Sequence, residues 1–177
     1  MSKPVPPVSL RRMKEMLNVH FYHEWDMIFK LLERQRNLTF TKPQIYVYDP
    51  ISKRVVWDSP IMCELLIHFR NLNEFFYGKV NKKNANVRHY VGWNKRKHNK
   101  KSKINVWNKR IHKFLAHLSY SRSRGWKHWP ILPLFYPHYK MLTLRFIKRV
   151  NKDKYYISSK MENLKQRLIN ESGVFST

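Results

Sequence analysis

SPIMCELLIHFRNLNEFFYG, residues Ser59 to Gly78, is the stretch whose reading decides the fold. A serine followed by proline starts a helix. The hydroxyl can accept from the unpaired amides of the first turn, and proline at the first helical position has no amide to leave unpaired. Met62, Leu65, Leu66, Phe69, Leu72 and Phe76 then recur at three- and four-residue spacing, which places them on one helical face. Gly78 stops the pattern. A helix with one apolar stripe must bury it against other elements, so this segment predicts helical neighbours.

Those neighbours are legible on both sides. Upstream, Ser9 caps a helix running to about Arg36, with Leu10, Met13, Leu17, Phe21, Ile28 and Leu31 on one face. Residues 1–8, rich in proline, read as an extended arm. QIYVYDPISKRVVWD, Gln44 to Asp58, alternates about Asp49-Pro50 and predicts a short β-hairpin. Downstream, a third helix spans about Ile104 to Arg122, with Trp107, Ile111, Phe114, Leu115 and Leu118 inward. A fourth covers about His138 to Asn151 and a fifth Ser159 to Asn170, the last opening on Ser159-x-x-Glu162, a capping box. The expectation is an all-α protein: a four- to five-helix bundle forming a single domain over residues 9–177, with a short β-hairpin and a long basic insertion, 79–103, that shows no periodicity.

The chain has 36 lysines and arginines against 11 acids, a formal net charge of +25, so its compact form repels itself unless a polyanion neutralises it. Aromatics make up 15% of the residues, enough to fill a core despite that charge. Only four glycines occur, and none clusters into a phosphate-cradling loop. The single cysteine, Cys63, excludes an internal disulfide and a cysteine-based zinc motif. No apolar run reaches the roughly 18 residues of a membrane span, and MSKPVPPVSLRRM lacks the apolar centre of a secretory signal. A soluble cytoplasmic protein without a membrane partner is expected.

The charge is not spread evenly. From Phe75 to Lys152 there are 78 residues with no acid and 21 lysines and arginines. Its densest part is KRKHNKKSK, residues 95–103, and tryptophans and tyrosines are interleaved through the whole stretch. Cations among aromatics suit RNA or single strands, where phosphates meet charge and unstacked bases lie on rings. The candidate contacts are Lys82, Lys83, Arg88, Lys95, Arg96, Lys97, Lys100, Lys101, Lys103, Lys109, Lys113, Arg122 and Arg124, with Tyr90 and Trp93 as stacking residues. RNA is the expected partner, with DNA as competitor. A resident of a ribonucleoprotein particle would use such a basic segment to thread between RNA helices. A basic module binding an acidic protein is the alternative that involves no nucleic acid.

Two constellations bear on chemistry. His20-x-x-His23 with Glu24 lies on one side of the first helix, but no second ligand group accompanies it, so neither a metal nor another cofactor is expected. Arg110 and His117 are seven residues apart, about two turns, and project from one side of the third helix roughly 10 Å apart. Histidine moves protons near neutral pH and a guanidinium grips phosphate, so the pair suits metal-free RNA cleavage. One helix holds them too far apart for a single phosphate, and only a symmetric homodimer would join them. The plain alternative is a phosphate contact at Arg110 and a packing role at His117.

LLIHFRNLNEFFYG, residues 65–78, and WNKRIHKFLAHLSYSRSRGWKHWPI, residues 107–131, resemble a group of small bacterial helical proteins. Arg110, six residues, then His117 is also similar to the arginine-histidine signature of the HEPN superfamily. That resemblance implies a four-helix bundle that binds RNA or cleaves it without metal, with Arg110 and His117 as catalytic residues, often in toxin or defence systems. Ile111 stands where HEPN nucleases usually carry a polar residue. Lys79 to Lys103 stands where the small proteins carry an acidic stretch.

Overall fold

Ser9 caps the first helix as its position predicts, its side chain accepting from the Arg12 amide at 3.4 Å. The computed structural model describes residues 7–41, 59–80, 85–93, 104, 106–111, 134–150 and 158–171. In these residues the chain is helical and carries no strand. Helix α1 (Leu10–Glu15) passes through a π-helical turn (Met16–Phe21) into α2 (Tyr22–Thr41). Helix α3 is Ser59–Tyr77, a short 3-10 turn covers Val87–His89, and residues 106–111 form α4. Helices α5 (Tyr136–Arg149) and α6 (Ser159–Asn170) follow.

Helix α2 packs on α3 and on α6, and α5 packs on the same two, so these four close a ring around one core. The stripe predicted on α3 is buried in full, Met62, Leu65, Leu66, Phe69, Leu72 and Phe76 all being at 0% exposure. It meets Leu17, Phe21, Trp25 and Ile28 of the first helical run and Tyr139, Leu142 and Phe146 of α5. Rings at the centre meet edge to face, with Phe21 and Phe146 at 5.5 Å and Phe75 and Phe146 at 5.3 Å. Aromatic pairs at such angles add to plain area burial.

The π turn has identifiable support. Where the backbone ladder leaves α register it frees carbonyls, and side chains supply donors for them. Asn18 Nδ2 donates to the Lys14 carbonyl at 3.1 Å, and the Tyr90 hydroxyl donates to the Met13 carbonyl at 2.9 Å. The Asn18 side-chain oxygen accepts from the Ser158 amide at 2.9 Å, which ties the start of α6 to the same turn.

Several expectations are corrected. Leu10, placed on the core face by its spacing, is exposed, because α1 begins before the bundle wraps around it. The capping box at Ser159 does not form. Ser158 is the N-cap, and its side chain makes no capping bond. Within the segment read as a basic insertion without periodicity, residues 85–93 fold back onto the core. Asn86 starts the 3-10 turn with a reciprocal cap, its side chain accepting from the Arg88 amide at 3.1 Å while its own amide donates to His89 Nδ1 at 3.2 Å. Val87, Tyr90 and Trp93 are then buried. The hairpin over Gln44 to Asp58 and the third helix beyond Ile111 lie outside the described residues, as do residues 1–6 of the arm and 94–103 of the insertion.

Candidate functional site

In the acid-free stretch the described cations stand outward and the aromatics inward. Lys79, Lys109, Arg110, Arg145, Lys148 and Arg149 are exposed, and Arg88 is half-buried. Tyr136, Tyr139, Phe135 and Phe146 are buried. This sorting follows from the i, i+3, i+4 pattern of α5, which turns Tyr139, Leu142, Phe146 and Ile147 to the core and leaves Arg145, Lys148 and Arg149 on the far side. Since no acid occurs between Phe75 and Lys152, the described surface of this stretch carries cations without a carboxylate.

The two proposed stacking residues are placed otherwise. Tyr90 is 8% exposed and bonded through its hydroxyl to Met13. Trp93 is 6% exposed, its ring set between Phe76 at 5.5 Å and the Arg149 guanidinium at 5.9 Å. A base needs an open ring face, and neither ring offers one. Trp107, half-buried on α4, carries the Arg110 guanidinium 4.7 Å above its ring. Arg110 therefore reaches solvent from a fixed support, the arrangement a phosphate contact uses. His117, the residue paired with Arg110 in the cleavage reading, lies outside the described residues, as do Lys82, Lys83, Lys95, Arg96, Lys97, Lys100, Lys101, Lys103, Lys113, Arg122 and Arg124.

Helix α4 is seated by a buried polar network. The Tyr139 hydroxyl donates to Asn73 Oδ1 at 3.1 Å, and Asn108 Nδ2 donates to the same oxygen at 2.7 Å. The three side chains join α3, α4 and α5, and they fix the helix that carries Lys109 and Arg110. Beside them, the Tyr77 hydroxyl and His138 Nε2 are 3.0 Å apart, with the two rings stacked.

A second polar cluster lies between α2 and α3. Glu24 Oε2 accepts from His68 Nδ1 at 2.7 Å, and Asn71 Nδ2 lies 3.1 and 3.2 Å from the two carboxylate oxygens. The pair is largely covered, with side-chain exposures of 12% for His68 and 18% for Glu24. Next to it opens a cavity of about 420 Å3, lined by Met16, His20, Phe21, Glu24, Asn71, Leu72, Glu74, Phe75 and Ala85. The sequence marks His20 and Glu24 but not the partner of Glu24, because His68 is 44 residues further on. The available signal was His68 and Asn71, polar residues three apart on the rim of the apolar stripe of α3. Among the described residues no group of three histidine, cysteine or acidic side chains is placed to hold a metal ion. Nor is any helix among them long and apolar enough to cross a membrane. Compared with known proteins, the chain matches no family model, no curated protein and no solved structure.

Proposed function

We propose that this protein binds RNA by gripping its phosphate backbone through the acid-free stretch from Phe75 to Lys152. The single observation that carries this reading is the separation of charge: 21 cations and no acid in 78 consecutive residues, in a chain of net charge +25. The exposed Lys109, Arg110, Arg145, Lys148 and Arg149 on a packed helical support agree with it. A rigid scaffold presenting lysines and arginines, with its aromatics buried, favours contacts to phosphate over stacking on bases. Binding is therefore driven by counterion release and tolerant of sequence over most of the surface. KRKHNKKSK, residues 95–103, supplies the densest charge and is the segment that would thread along RNA within a ribonucleoprotein particle.

The test is replacement of the six cations of residues 95–103 by glutamine. RNA binding weakens and its salt dependence flattens, while the helical circular dichroism signal and its melting stay as in the wild type. Unchanged RNA affinity in that variant rejects this segment as a phosphate contact.

A further inference from the structure

We infer that the outer face of α4, formed by Val106, Lys109 and Arg110 with Trp107 at its edge, is a platform on which one unpaired base of the bound RNA stacks. This inference rests on the RNA-binding reading above. It adds one stacking position to a surface that otherwise grips phosphates, and it makes single-stranded or looped RNA the preferred substrate over duplex.

The helical repeat sets out the face. In residues 106–111, Asn108 and Ile111 are buried and define the inner side of α4. At about 3.6 residues per turn, Val106 lies opposite them, with the exposed Lys109 and Arg110 on its two flanks and Trp107 at the border with the core. Val106 is 50% exposed. Apolar side chains scattered singly over a surface are ordinary. What singles this one out is its place between two cations and beside an indole.

Arg110 supplies the flat element. Its guanidinium sits over the Trp107 ring, 4.7 Å from the centroid. A guanidinium is planar and weakly hydrated, so the side turned away from the indole accepts a second flat ring, and unpaired bases in RNA stack on such planes. The indole beneath already orders the side chain, which lowers the cost of ordering it on binding. Asn108 donates to Asn73 Oδ1 at 2.7 Å, so the face is also held against α3.

The shelf is thus apolar at its centre and cationic at its rim. Its ligand is a flat, largely apolar body that carries an anion, which describes a nucleotide. The base lies on Arg110 and Val106, and its phosphate meets Lys109. A phosphate alone would be served by the two cations and leave Val106 and the far side of the guanidinium unused. In duplex RNA the bases are stacked within the helix, and only phosphates reach this face.

The experiment measures binding of the full-length protein, at fixed near-physiological salt, to a short oligouridine, to an abasic ribose-phosphate strand of the same length and to a blunt RNA duplex. Arg110→Lys keeps the charge and removes the flat face. The variant binds the oligouridine about 2- to 5-fold more weakly than the wild type, the worth of one exposed cation–π contact, while its affinity for the abasic strand and the duplex is unchanged. Val106→Ser, at an exposed position, shows a loss confined to the same probe. Equal losses on the oligouridine and the abasic strand make Arg110 a phosphate contact only. That result, or no loss on any probe, overturns the platform and leaves the phosphate-gripping reading standing. Failure of the wild type to bind any of the three overturns both. Even where a variant does not fold, a wild type that binds the abasic strand as tightly as the oligouridine overturns the platform.

Discussion

The indole Nε1 of Trp25 donates to the hydroxyl of Thr143 at 3.0 Å, joining residues 118 positions apart with both side chains at 0% exposure. This bond pins α2 to α5 at the centre of the ring of helices. Thr143→Val keeps the shape and strands a buried donor, so it lowers unfolding free energy by about 1–3 kcal/mol. Thr143→Ser retains the hydroxyl and costs less. Urea denaturation of the three proteins checks the order.

The seat of α4 is tested at Tyr139, whose hydroxyl donates to Asn73 and lies 3.4 Å from the Asn108 oxygen. Tyr139→Phe takes one of two donors from Asn73 Oδ1, which keeps Asn108, and removes the hydroxyl nearest Asn108 Oδ1, and it destabilises the fold by about 1 kcal/mol. Because α4 carries Lys109 and Arg110, the same variant loses RNA affinity beyond what its stability predicts. Affinity unchanged at a temperature where the variant is fully folded would separate the network from the binding surface.

The fold-back of residues 85–93 makes a further prediction. Tyr90→Phe removes the donor to the Met13 carbonyl and costs about 1–3 kcal/mol of stability, with little effect on RNA binding. Were Tyr90 an exposed stacking platform, the reverse would be seen: stability intact and affinity reduced. Denaturation and an RNA titration on one preparation distinguish the two.

The helices were legible in the sequence where one face is strictly periodic. All six residues chosen for α3 are buried at 0% exposure, and α6 begins and ends at the predicted residues, Ser159 and Asn170. The π turn was not legible, because Leu17 and Phe21 fit α spacing equally well and the shift depends on donors from Asn18 and Tyr90. The fold-back was hidden by its polar company. Its signal was three large apolar residues, Val87, Tyr90 and Trp93, set among polar ones. The cations were read as a charge distribution, which needs no contacts. The Glu24–His68 pairing was out of reach because it depends on how α2 and α3 cross.

Stability should fall on both sides of neutrality. Burial raises the hydroxyls of Tyr77 and Tyr139 above the ordinary tyrosine value, and burial with the Glu171 carboxylate does the same for Tyr136. The unfolded chain releases those protons first, so their contribution is complete below about pH 10 and is lost as pH rises above it. Burial, aided by Arg88, lowers His89. Its Nδ1 accepts from the Asn86 amide, and a proton there breaks that cap. The unfolded chain takes that proton first, so this part is complete above about pH 6.5 and is lost as pH falls through the lowered value. Urea midpoints across pH, with tyrosinate absorbance on the alkaline side, check both limbs.

The most direct measurement of the central claim is an equilibrium titration of full-length protein with single-stranded RNA as salt is raised from about 50 to 200 mM. If six to ten phosphates are gripped, the binding constant falls by about 10³ to 10⁵ over that range, its logarithm falling linearly with the logarithm of salt. A flat dependence, or no binding at the lowest salt, would contradict it.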